Sequence, residues 1–269
     1  MVRKETALME AYYMSVTLDS NQWNLVYAVF SFGLVSMLAC TVYTLVSQSR
    51  VLPKYRNALV MSSMVTFIAA YHYWRIFNSF ESSYVDGAVS VGTGKGSFNE
   101  AYRYVDWILT VPLLLVEVIA VLGLAKAASS SLISRLVPAS AAMIALGYPG
   151  EISTDNNTKV IWGVLSTLPF LYILYVLFVE LSKSLDRQPA GVAATVGRLR
   201  LLLIATWGVY PISYLLPILD SANAASSGAF VNRQIGYTIA DVLAKCVFGL
   251  TILKIAKMKS VAEGMKDSE

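Results

Sequence analysis

Charge is scarce in this chain. Only 14% of its 269 residues are Asp, Glu, Lys or Arg, against 56% hydrophobic, whereas soluble domains carry about 25% charged residues. A mean hydropathy of +0.58 points the same way. Histidine is nearly absent: His72 stands alone, which excludes most His-based metal centres. The two cysteines, Cys40 and Cys246, lie inside apolar segments without a CxxC spacing, so neither a disulfide framework nor a thiol metal site is expected. The first twenty residues are polar and mixed and lack the apolar core of a secretory signal peptide. No long linker or low-complexity tract is visible, and a net charge of +4 gives no reason to expect a nucleic-acid partner.

Long apolar runs fill the chain instead. A membrane-spanning helix needs about 20 mostly apolar residues, and seven segments qualify, roughly 22–48, 56–80, 99–125, 128–149, 156–183, 193–219 and 230–257. The fourth is the weakest because Arg135 sits inside it. In lipid the backbone has to satisfy its own hydrogen bonds, so these runs read as helices, and a packed bundle tolerates Pro112, Pro169, Pro211 and Pro217 within them. The fold class expected is an all-α membrane protein, one seven-helix domain spanning 1–269. Segment 81–98 is Gly/Ser-rich with alternating Val85, Val89 and Val91, which predicts a short extracellular hairpin between the second and third helices.

Lys and Arg favour the cytoplasmic side of a membrane. With the N-terminus outside, the inner segments hold Arg50, Lys54, Arg56, Lys126, Arg135, Lys183, Arg187, Arg198, Arg200, Lys254, Lys257, Lys259 and Lys266. The outer ones hold Arg3, Lys4, Lys95, Lys159 and Arg233, which is thirteen against five. Odd-numbered helices therefore run inward, with the C-terminus in the cytoplasm.

Against this background the ionisable residues inside spans stand out, because each is costly in lipid and a functional candidate by default. The second span holds His72 and Arg75, the third Arg103, Asp106 and Glu117, the seventh Asp241 and Lys245. Asp241 and Lys245, four apart, share a helix face. Lys245 lies near mid-span, too deep to reach either surface. A buried structural ion pair is one reading; an amine poised for a Schiff base, its ammonium disfavoured by desolvation, is the other. Asp106 shares a face with Thr110, and Glu117 returns to nearly the same face about 16 Å further inward. Two carboxylates on opposite sides of a midplane lysine form the pattern of a proton relay. Trp107, Trp207, Tyr210 and Tyr214, with Pro211, are ordinary packing on their own, but beside a buried lysine they become candidate walls for a flat apolar chromophore.

Three motifs agree in type, order and spacing: Arg103-Tyr-Val-Asp-Trp-Ile-Leu-Thr-Val-Pro, Trp207-Gly-Val-Tyr-Pro and Asp241-Val-Leu-Ala-Lys. In these the chain resembles the microbial rhodopsins, and among them the proton-pumping xanthorhodopsin and proteorhodopsin group, over all seven spans. The resemblance implies all-trans-retinal carried as a protonated Schiff base on Lys245, with Asp106 and Asp241 as counterions, Asp106 as proton acceptor, Arg103 holding the outer charge cluster and Glu117 as inner proton donor. A donor has to keep its proton until needed, which burial favours. The signature Asp106, Thr110, Glu117 resembles that of outward proton pumps, whereas related sodium pumps carry Asn, Asp and Gln at these places. His72, in the context Ala-Tyr-His-Tyr, matches a histidine that hydrogen-bonds the acceptor aspartate. The same carry-over places Trp107, Thr110, Leu114, Met143, Gly147, Ser166, Phe170, Trp207, Tyr210, Pro211 and Tyr214 around retinal, with Leu114 implying green absorption. It also implies a bacterial inner-membrane location and a homo-oligomer, pentamer or trimer. A pair of glutamates for proton release near the sixth and seventh helices is not evident.

Gly163 carries two readings. Many relatives have Trp there, and a glycine in Trp162-Gly-Val-Leu-Ser-Thr opens a window for a hydroxylated carotenoid antenna, as in xanthorhodopsin-like members. Alternatively it serves helix–helix contact, where glycine is common in membranes. The competing functions are a photosensor, against which Glu117 argues, and a retinal-free receptor or transporter, against which the buried Asp-x-x-x-Lys pair argues.

Overall fold

The computed structural model describes residues 14–92, 96–153, 155–186, 188–219 and 226–266. Of the basic residues counted above, Arg3, Lys4, Lys95 and Arg187 lie outside the described residues. Seven helical rods form the bundle. The first is α1 (Ser20–Val46), extended by a 3-10 turn, Ser47–Arg50. Then follow α2 (Pro53–Ser83), α3 (Tyr102–Leu122) and α4 (Lys126–Glu151). The fifth rod is α5 (Asn156–Tyr175) continued by a π turn, Val176–Glu180. The sixth is α6 (Ala190–Trp207) with α7 (Val209–Leu219). The seventh is α8 (Ser227–Asp241), a π turn Val242–Val247, and α9 (Phe248–Ala262).

Local chemistry sets these boundaries. Asp19 starts α1 with a capping box, its Oδ1 accepting from the Gln22 amide at 2.8 Å while Gln22 Oε1 accepts from the Asp19 amide at 3.1 Å. Asp155 caps α5 through the Thr158 amide at 2.7 Å. Pro53 opens α2 at a position where its missing N–H costs nothing, and Gly123, at φ 61°, closes α3 in the left-handed conformation glycine tolerates. The sixth rod breaks at Gly208 because Pro211 has no N–H to give the Trp207 carbonyl.

The bundle is inside-out relative to a soluble protein. Phe32, Val35 and Val42 on α1, Phe67 on α2, and Val164, Leu168 and Leu171 on α5 are exposed, while Arg103, Asp106, Glu117, Asp241 and Lys245 are buried. That distribution suits a protein embedded in a lipid bilayer. Five rods, Ser20–Arg50, Tyr102–Leu122, Lys126–Glu151, Asn156–Glu180 and Gly191–Leu216, are long and apolar enough to cross a membrane. The second and seventh are long enough but more polar, and their polar groups turn inward. Ser62, Ser63, Thr66 and His72 on α2 are buried, as are Gln234, Thr238 and Asp241 on α8 and Lys245 in the π turn that follows.

One end of the bundle carries a sheet of order β1-β3-β2, formed by β1 (Met14–Thr17), β2 (Tyr84–Val85) and β3 (Ala88–Val91), all antiparallel. The expected hairpin is β2–β3, turned by Asp86 (φ 52°) and Gly87 (φ 86°), a pair suited to the tight turn between twisted strands. The third strand, β1, comes from residues ahead of the first helix, and its pairing, Val16 opposite Val89, has no signature in local sequence. Val16, Val89 and Phe98 plug this end by burying against Phe30, Phe80 and Phe230. It is called the sheet end below.

Candidate functional site

The centre of the site is Lys245. Its Nζ donates to Asp106 Oδ2 at 2.9 Å and to Asp241 Oδ1 at 2.6 Å, and all three side chains are buried. The lysine lies in the π turn of the seventh rod, where one extra residue per turn re-aims side chains, a feature common at functional sites. A buried ammonium without partners is strongly disfavoured, so the two carboxylates are a condition of its being there.

The two carboxylates are furnished differently. Asp241 has both oxygens occupied: Oδ1 accepts from Tyr210 at 2.6 Å and Trp107 Nε1 at 3.4 Å, besides Lys245, and Oδ2 accepts from Tyr73 at 2.9 Å with Arg103 Nη1 3.7 Å away. Among the described residues, the buried Oδ1 of Asp106 has no hydrogen-bond partner. Its backbone carbonyl accepts from Thr110 Oγ1 at 2.9 Å. His72 is buried on α2, and its Nδ1 donates to the Ile68 carbonyl at 2.9 Å. Among the described residues no hydrogen bond joins His72 to Asp106. With Nδ1 engaged, Nε2 is the ring atom left free.

Towards the sheet end, Arg103 donates through Nη2 to Gln234 Oε1 at 2.9 Å. Away from it, Glu117 is fully buried and accepts from Ser62 Oγ at 2.7 Å through Oε2, while Oε1 has no partner among the described residues. Asp106 is thus in contact with Lys245, and Glu117 lies eleven residues further along α3, away from the sheet end.

A cavity of about 250 Å³ runs from Lys245 between the third, fourth, fifth and sixth rods. Trp107, Leu114, Met143, Gly147, Ser166, Phe170, Trp207, Tyr210, Pro211 and Tyr214 line it, as does Gly163. Thr110, expected on the wall, is not among the lining residues; its hydroxyl is turned back to its own helix. Tyr104, Val111, Ala244 and Tyr237 complete the wall. Val160, Val164 and Leu215 line the cavity and are also exposed on the lipid-facing side, so it reaches the bundle surface between the fifth and sixth rods. A β-carbon on Gly163 would lie 2.9 Å from Tyr214 Cε1, so this glycine also lets the tyrosine ring approach α5. A flat apolar polyene with one reactive carbonyl end suits these walls: aromatic sides, one amine, and buried counter-charge beside it.

Sequence reasoning passed over Tyr73, Gln234, Ser62 and Glu100 as members of the site. Tyr73 stands beside His72 in the quoted motif, and the run Glu100, Arg103, Asp106 at three-residue steps is a legible ladder. The partners of Gln234 and Ser62 lie on other helices, and no local pattern marks them.

A family model described as bacteriorhodopsin-like protein matches residues 24–258. A green-light absorbing proteorhodopsin from a gamma-proteobacterium is 31% identical over 239 residues, covering 87% of this chain and 88% of that protein. The crystal structure of xanthorhodopsin, described as a light-driven ion pump with dual chromophore, superimposes with a TM-score of 0.85 at 46% identity, covering 94% of this chain and 99% of that one. A thermophilic rhodopsin gives 0.86 at 43% identity, covering 93% and 99%.

Gly33 on α1 is where packing and site meet. A β-carbon there would sit 2.6 Å from Tyr73 Cε1 and 2.9 Å from Thr238 Cγ2. Gly33→Ala is expected to push Tyr73 off Asp241 and to destabilise the bundle by about 1–3 kcal/mol, as overpacking does. Thermal unfolding in detergent checks this, and a melting temperature equal to that of the parent would contradict the packing account.

Proposed function

Because the chain belongs to the bacteriorhodopsin-like family, we propose that it is a light-driven pump that moves protons outward across a bacterial inner membrane, with retinal on Lys245. The observation that carries this reading is the buried lysine held between Asp106 and Asp241, with a third buried carboxylate, Glu117, on its far side. Retinal attached to the Lys245 nitrogen as a Schiff base supplies light absorption and a change of shape that redirects that nitrogen.

The chain's own residues then divide the labour. Lys245 Nζ is 2.9 Å from Asp106 Oδ2 and 2.6 Å from Asp241 Oδ1, so either could accept its proton. Asp106 has an oxygen free to keep one, whereas both oxygens of Asp241 are filled by donors. Asp106 is thus the acceptor, and Asp241, anchored by Tyr73 and Tyr210, stays as the fixed counter-charge. His72, buried on the neighbouring α2, is the group we assign to steady Asp106. Glu117 holds a proton on its unpartnered Oε1, with Ser62 fixing the other oxygen, and returns it to the Lys245 nitrogen. The Lys/Arg distribution supports an outer position for the sheet end, and so for Asp106, and with it a net outward movement. Moving one proton against 100 mV requires about 2.3 kcal/mol.

The same reading includes a homo-oligomer, trimer or pentamer, green absorption set by Leu114, and a hydroxylated carotenoid antenna. Support for the antenna comes from Gly163 on the cavity wall and from the exposed Val160, Val164 and Leu215 beside it. The dual chromophore named for xanthorhodopsin points the same way.

Illuminated cells supplied with retinal are expected to acidify an unbuffered medium, and an uncoupler to remove the signal; Lys245→Ala should show neither visible absorption nor acidification. Alkalinisation would reverse the direction, and a response that requires sodium or chloride would replace the proton. Glu117→Gln is expected to leave the colour nearly unchanged and slow the late photocycle, with azide restoring part of the rate. Unchanged decay would assign reprotonation to another route. With added hydroxylated carotenoid, excitation in the carotenoid bands should drive acidification, and Gly163→Trp should abolish that sensitisation while green light still works. No carotenoid-dependent band with any carotenoid offered would leave Gly163 as the seat of Tyr214 alone.

A further inference from the structure

Between Arg103 and the sheet-end surface lies a group that the mechanism above does not use. Glu100, in the turn that leads into α3, accepts from Gln234 Nε2 at 2.6 Å through Oε1 and from Arg233 Nη2 at 2.9 Å through Oε2. Its side chain is 15% exposed, against 2% for Arg103. Gln234 is fully buried and joins the two, its Oε1 accepting from Arg103 and its Nε2 donating to Glu100. That amide orientation is forced, because a guanidinium only donates. A single chain of contacts therefore runs from Lys245 through Asp241, Arg103 and Gln234 to Glu100 and Arg233.

We propose that Glu100 is the exit carboxylate of the pump, the group that takes the proton leaving the Arg103 cluster and passes it to the outer medium. This rests on the outward-pump reading. Glu100 stands one turn outward of Arg103, as Arg103 stands one turn outward of Asp106, and it is the carboxylate that meets both the buried network and solvent. In the step, a proton bonds to Glu100 Oε2 and the hydrogen bond from Arg233 Nη2 breaks. The same O–H bond then breaks as the proton passes to water, and Arg233 closes again on the carboxylate. The neighbouring charged and titratable groups are Arg233, Arg103, Glu151 and Tyr237. Of these, Glu151 is tied to Tyr104 Oη at 3.3 Å and has no hydrogen bond to Arg103 or Gln234, so it does not continue the chain. A purely structural Glu100, latching α8 to the loop before α3, would affect stability but not the moment of release.

The test is flash-induced proton release, followed with a pH-sensitive dye outside vesicles holding the full chain with retinal. Glu100→Gln is expected to keep the parent absorption maximum and delay release by about a hundredfold, the low end of what a positioned proton-transfer group contributes. Glu100→Asp should recover part of the rate. Release at the parent time from Glu100→Gln with a parent spectrum would overturn the proposal. If Glu100→Gln fails to form pigment, Glu100→Asp decides: its carboxylate is one carbon short of Gln234, so release has to slow, and parent timing overturns the assignment. Steady acidification by the unaltered protein separates the two readings. If that is missing, the pump itself fails; if it is present and Glu100→Gln releases on time, only Glu100 fails.

Discussion

Everything in this molecule is arranged around an ammonium that lipid would otherwise expel. Lys245 sits in the middle of the bundle with Asp106 and Asp241 on its nitrogen, and the cost of burying that cation is met only by equally buried anions. Those anions in turn need donors, which is why Tyr73, Tyr210, Trp107 and Arg103 converge on Asp241 from three other helices. Arg103, itself buried, is linked onward to Gln234. Removing any one of these leaves an uncompensated polar group, so the cluster behaves as a unit rather than a sum of pairs.

The same requirement accounts for the uneven polarity of the helices. The second and seventh are the more polar because they deliver Ser62, Ser63, Thr66 and His72, and Gln234, Thr238, Asp241 and Lys245, to the interior, whereas the third sets Arg103, Asp106 and Glu117 into an otherwise apolar helix. It also accounts for irregular backbone where regular helix would suffice for spanning. The π turn carrying Lys245 and the break between α6 and α7 at Gly208 lie beside the cavity, where departures from regular geometry aim side chains inward. At the sheet end an aromatic plug of Phe30, Phe80, Phe98 and Phe230 closes the bundle, with the Glu100–Arg233 pair at the edge of the buried network.

In the proposed pump, asymmetry between the two carboxylates is what turns an ion pair into a device. Had both been equally supplied with donors, neither would be the preferred destination for a proton. Occupied oxygens on Asp241 and a free one on Asp106 and on Glu117 establish an order along the bundle axis.

The residues that sequence alone determined are those whose meaning is local or periodic. Apolar length placed the seven rods to within a few residues of their observed ends, since a bilayer imposes one length on every span. Helical periodicity put Asp241 with Lys245, and Asp106 with Glu117, on common faces. A short hairpin between the second and third rods was legible in the alternation of Val85, Val89 and Val91, but the Asp86-Gly87 pair that turns it emerged only with the backbone. Tertiary structure decided what periodicity cannot reach: that β1 joins the hairpin, that Tyr73 and Ser62 on α2 supply donors to Asp241 and Glu117, that Gly33 makes room for Tyr73 and Gly163 for Tyr214, and that Gln234 ties Arg103 to Glu100. Each of these joins residues far apart in the chain. A hydrogen bond between helices depends on how the rods turn about their own axes, and that rotation is set by the packing of the whole bundle, not by any one segment.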